Sequence, residues 1–160
     1  MRTVEDYKRK FLVLIDEGEE CAGAAAFAAY RVRRTGGTVV FLAVIDSADF
    51  QQFLGVEEVM RAEAVEEAEQ LLETHTARAK KIGDIKIETV IREGRPAEAI
   101  EALVAEDKDI AILVLGASRS SEGPGELVTA FAAHGGANAL RIPVTIIPGT
   151  MTDAEIEAVS

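Results

Sequence analysis

Five short apolar runs constrain this chain more than anything else in it: Phe11–Ile15, Thr38–Val44, Ile85–Ile91, Ile110–Leu115 and Val144–Ile147. Four of them do not alternate with polar residues, which is how strands buried on both faces of a parallel sheet read. The third alternates Ile85, Ile87, Thr89 and Ile91 against Lys86, Glu88 and Val90, so it is expected half exposed, at an edge. Helical stretches separate the runs, and successive crossovers between parallel strands give an α/β three-layer sandwich around a five-stranded parallel sheet.

The connecting segments carry helix signals. Cys21 to Arg34 is rich in Ala, ends in Arg31, Arg33 and Arg34 and stops at Gly36-Gly37. Val56 to Ile82 repeats apolar residues at spacings of three and four, with Glu crowding the early turns and Lys80 and Lys81 in the last, as the helix dipole favours. Pro96 opens a helix through Glu106. Glu126 to Leu140 reads as a helix broken at Gly135-Gly136, since each Gly costs about 1 kcal/mol inside a helix. Thr152 and Glu155 have the spacing of a capping box. One domain over 1–149 and a tail over 150–160 are expected.

At 160 residues, the chain can build one core without disulfides or structural metals. Cys21 is the single cysteine, and with only His75 and His134 beside it no zinc site is expected. There are 17 Lys+Arg against 28 Asp+Glu, a net charge of −11, which repels phosphate backbones and anionic headgroups. Nucleic acid and membrane are therefore excluded as partners, and with no signal-peptide pattern a soluble cytoplasmic protein is expected. A core of Val, Ile, Leu and Ala follows from 48% hydrophobic residues with 5% aromatic.

In an open parallel sheet, ligands bind off the carboxyl ends of the strands where the strand order reverses. Asp16-Glu17 meets a receiver domain's need for an acidic pair, but Arg92 and Pro148 stand where its phosphate-accepting Asp and its Lys belong. Glu17, Glu19 and Glu20 around Gly18 oppose a flavodoxin phosphate loop. No P-loop or dinucleotide glycine motif occurs. Gly116-Ala117-Ser118-Arg119-Ser120 approaches a nucleophile elbow, yet its fifth position is not Gly and a loop follows instead of a helix. Ser118 is read as capping a turn. Cys21 is read as a small buried residue, His75 as bordering the core, and no residue as catalytic.

The order of these pieces resembles the universal stress protein family over Lys10 to Gly149. The residues that carry the resemblance are Ile15-Asp16-Glu17-Gly18, then Gly94-Arg95-Pro96-Ala97-Glu98-Ala99-Ile100, then Val114-Leu115-Gly116-Ala117-Ser118, then Ile142-Pro143-Val144. The resemblance implies an adenine nucleotide alpha hydrolase-like sheet in the order 3-2-1-4-5, bringing Asp16 and Gly116 together. It also implies an ATP motif, G-x-x-G, nine residues, then G-[ST]. Gly116 matches its first Gly, but Arg119 replaces the second, and counting back from Pro143 by the family's usual spacing lands on Ala130-Phe131 where Gly-Ser belongs.

Asp16, Val44, Gly116, Ser118, Arg119 and Ser120 are thus the candidate nucleotide-binding residues, with Arg119 and Ser120 as substitutes on the phosphate loop. Four nearby carboxylates, Asp16, Glu17, Glu19 and Glu20, oppose a triphosphate at about 0.5 kcal/mol per charge pair across about 8 Å of water. The reading is a non-catalytic stress-response module with a degraded nucleotide site, no bound cofactor and no metal, acting on a protein partner that the sequence does not name. The alternative is an ATP-binding member with weak or no hydrolysis. Val144, Ile146 and Ile147 on the short last strand are expected to pair with a second copy.

Overall fold

The computed structural model describes residues 1–50, 55–133 and 140–160, and the expected break at Gly135-Gly136, with His134, lies outside them. The strands are β1 (Lys10–Leu14), β2 (Thr38–Ile45), β3 (Lys86–Glu93), β4 (Ile110–Gly116) and β5 (Val144–Ile147). They form one parallel sheet in the order β3-β2-β1-β4-β5. The helices are α1 (Glu20–Thr35), α2 (Glu57–Ile82), α3 (Pro96–Glu106), the single turn α4 (Glu126–Val128) and α5 (Asp153–Val159).

The unbroken apolar runs divide their side chains between two cores. From β1, Phe11, Val13 and Ile15 pack with α1, α2 and α5 on one face, while Leu12 and Leu14 pack with α3 and α4 on the other. All five β1 residues are buried, whereas β3 at the edge is mostly exposed or half buried. That difference is the one that the alternation of β3 predicts. Ala24, Ala25, Ala28 and Ala29 are buried, so α1 presents small residues to the sheet beside it.

Three polar devices close the ends of the layers. Lys10, nearly buried, holds Glu88 and Asp107 at 2.8 Å each. Arg141 donates to the carbonyls of Val104, Asp107 and Ile110 and so caps the end of α3. The capping box forms: Thr152 Oγ1 accepts from Glu155 N at 3.2 Å, and Glu155 accepts from Thr152 N at 3.0 Å. The α5 that it starts lays Ile156, 2% exposed, against α1 beside Gly23.

Two local readings differ from the sequence expectation. The helix expected from Glu126 is α-helical only through Val128 and continues as a π-turn over Thr129–Ala133. Ile147, which the sequence offers to a second copy, is instead buried in its own chain near Gly23; Val144 and Ile146 stay half buried.

Candidate functional site

The strand order reverses between β1 and β4, and a cleft of about 280 Å³ opens off their carboxyl ends. Leu14, Val44, Pro96, Leu115, Leu127 and Val128 make its apolar lining. Asp16, Glu20 and Glu126 supply its carboxylates, and Gly116 and Gly125 bring backbone to its surface. A shallower depression beside it is lined by Ser118, Ser120, Thr129 and Ala130, and the two share Glu20, Pro124, Gly125 and Glu126.

The structure therefore brings Asp16, Val44 and Gly116 together in one lobe, and Ser118 and Ser120 in the next. Arg119 lines neither. Its side-chain stem lies over Gly149, where a Cβ would stand 2.6 Å from Arg119 Cγ, so the loops after β4 and β5 pack closely there. Phe131 turns into the α3-side core instead of filling the phosphate position. Sequence reasoning missed Thr129, one residue before the position reached by counting from Pro143, and it missed Pro96 and the turn Pro124–Val128. Counting the motif's nine residues forward from Arg119 reaches Thr129, so the count back from Pro143 is what passed over it.

The acidic rim is built locally. Asp16 Oδ1 accepts the Gly18 N–H at 2.8 Å, and the Glu20 carboxylate folds back over Gly18. Asp16 remains exposed on its outer side, yet desolvation by the surrounding protein raises its pKa, with Glu20 adding to the rise and the Gly18 N–H opposing it. Behind it, Cys21 Sγ donates to the Asp16 carbonyl at 3.4 Å and stands 3.7 Å from His75 Nε2. Burial pushes that thiol up to about 11. His75 is itself buried, more deeply than the border position expected of it.

Five N–H groups of the loop after β4 are bonded internally. Ala117 N–H donates to Ile147 O, Ser118 N–H to Pro124 O and Gly123 N–H to Ser120 O. Ser120 N–H donates to Ser118 Oγ and Glu122 N–H to Ser120 Oγ, both at 3.1 Å. The hydroxyls of Ser118 and Ser120 thus cap successive turns, as expected for Ser118. A phosphate cradle needs such N–H groups free and convergent. An apolar lobe and an acidic loop whose serine hydroxyls cap its own turns thus lie side by side. Among the described residues no cluster of His, Cys, Asp and Glu is arranged to hold a metal ion, and no helix is long and apolar enough to cross a membrane.

Comparison with known proteins agrees with this fold. The model of the universal stress protein family matches residues 8–148. Among solved structures, the universal stress protein UspA from Lactobacillus plantarum is 19% identical, with a TM-score of 0.70 over 88% of this chain and 98% of that one. A universal stress protein family protein from Arabidopsis thaliana with AMP bound is 19% identical, with a TM-score of 0.60 over 88% of this chain and 91% of that one. A universal stress protein in complex with cAMP is 17% identical, with a TM-score of 0.58 over 89% and 98%. No protein of curated function matches the sequence.

Proposed function

Since the chain belongs to the universal stress protein family, we propose that it is a non-catalytic regulatory module whose cleft takes the adenosine part of a nucleotide and holds the phosphates poorly. One observation carries this reading: the N–H groups of Ala117, Ser118, Ser120, Glu122 and Gly123, on the loop where phosphates would lie, are already bonded within the chain. Glu20 and Glu126 stand between the two lobes, so phosphates leaving the apolar lobe meet carboxylates.

If two or three charge-assisted hydrogen bonds are missing at about 1.5–3 kcal/mol each, a micromolar affinity becomes millimolar or weaker. Calorimetric titration with Mg-ATP, AMP and adenosine tests this. The expected result is weak binding of all three with little advantage for the triphosphate. Mg-ATP binding that is at least about ten-fold tighter than adenosine binding, and that is lost in both Asp16→Ala and Arg119→Ala, overturns it. That result would favour the second reading, an ATP-binding member, to which the AMP and cAMP complexes of the two structural neighbours lend support.

The module would work as a cytoplasmic homodimer through β5, whose outer edge is paired with no strand among the described residues. With Ile147 turned inward, pairing rests on backbone groups and on Val144 and Ile146. Light scattering is expected to give a dimer mass at micromolar concentration in the native chain and a monomer in Val144→Pro. A monomer in the native chain removes the dimer from this reading.

A further inference from the structure

At the other edge of the sheet, β3 has no strand on its outer side among the described residues, so the backbone groups of every second residue point away from the sheet there. Three of its four charges are engaged inside the chain, Glu88 with Lys10, Arg92 with Glu106, and Glu93 with Arg61, and Lys86 at its start forms no ion pair among the described residues. This leaves Thr89, Val90 and Ile91 as an uncharged central stretch, two of them β-branched aliphatics suited to pairing.

Alongside that stretch runs an open groove of about 660 Å³ between β3 and α2. Leu72, Ala77 and Ile91 make it apolar, and Glu69 and Glu73, one helical turn apart, make its rim acidic. Both carboxylates are exposed, and neither forms an ion pair among the described residues. The groove wall also contains Thr76, whose Oγ1 is the one buried side-chain polar atom among the described residues that finds no hydrogen-bond partner.

From this juxtaposition we propose that the β3 edge and the α2 groove form a docking site for an extended basic peptide, which adds a sixth strand to the sheet. The peptide's backbone pairs with the free edge of Thr89–Ile91. One of its apolar side chains enters between Leu72 and Ile91, and a lysine or arginine on the same face reaches Glu69 and Glu73. A second copy of this chain fits worse, because pairing β3 with β3 brings each acidic rim toward its counterpart in a protein of net charge −11.

The probe is a fluorescein-labelled hexapeptide, lysine–threonine–valine–threonine–lysine–threonine, which puts the valine and both lysines on one face of an extended strand; it is titrated with the full chain and followed by anisotropy and by backbone amide chemical shifts. Saturable binding is expected, with shifts concentrated on residues 89–91 and 72–77. The double variant Glu69→Lys, Glu73→Lys changes only exposed positions; it should lose at least about ten-fold in affinity for this peptide and accept the counterpart with glutamate for lysine instead. Three results overturn the proposal: no saturation, shifts spread over the whole acidic surface with equal binding of an isomer whose valine lies on the opposite face from its lysines, or amides of residues 89–91 already protected by a second copy at micromolar concentration.

Discussion

Gly116 lies so close to the start of α1 that a Cβ built on it would stand 2.1 Å from the carbonyl oxygen of Glu20. The contact seats the first turn of α1 on the end of β4 and sets the floor of the cleft. It gives this glycine a steric reason to be there that is independent of any phosphate. Gly116→Ala is therefore expected to destabilise the fold by about 1–3 kcal/mol, read from urea denaturation without nucleotide. Unchanged stability would show that α1 is free to shift and that the contact is not a constraint.

His75 sits against Phe41, edge to face at 6.4 Å between ring centroids, and beside Cys21. Burial, then the nearby Arg78, lower its pKa below the ordinary 6.5, while Asp16 opposes them. The unfolded chain then binds the proton more readily, so stability is intact above that ordinary value and falls as pH descends through it toward the lower folded value. Thermal unfolding followed from neutral to mildly acidic pH should show a smaller loss in His75→Gln than in the native chain. Identical slopes would remove His75 as the cause.

The Cys21 thiol, held up to about 11 by burial first and by the Asp16 and Glu20 carboxylates after it, stays protonated at neutral pH. Thiolate is the reactive form, so alkylation of the folded protein by iodoacetamide at mildly alkaline pH should run about a hundred-fold slower than that of the urea-unfolded chain. Equal rates would mean that the α1 start opens readily.

Thr152→Ala removes both hydroxyl contacts of the capping box and is expected to cost about 1 kcal/mol, with faster proteolysis within Asp153–Val159. Should α5 stay protected and stability hold, the anchoring would reside in Ile156 packing alone.

Much of the architecture was legible because apolar runs have a direct physical meaning. Phe11–Ile15 lacks alternation, and the sheet buries both of its faces; Ile85–Ile91 alternates, and it lies at the edge. The capping box at Thr152 was legible for the same reason, since its hydrogen bonds span three residues of one segment. The helix after Glu126 was misread because its change to a π-turn has no period that a spacing count detects.

By itself the sequence determined the layers, the strand order through its family resemblance, and the grouping of Asp16 and Gly116 at one end of the sheet. Only the tertiary structure decided that Ser118 and Ser120 turn their hydroxyls to their own loop, that Arg119 lies over Gly149, and that Thr76 and Ile91 share a groove. Burial is encoded residue by residue along the chain, whereas the partner that a particular N–H or carboxylate meets depends on ångström-scale approaches between segments far apart in sequence.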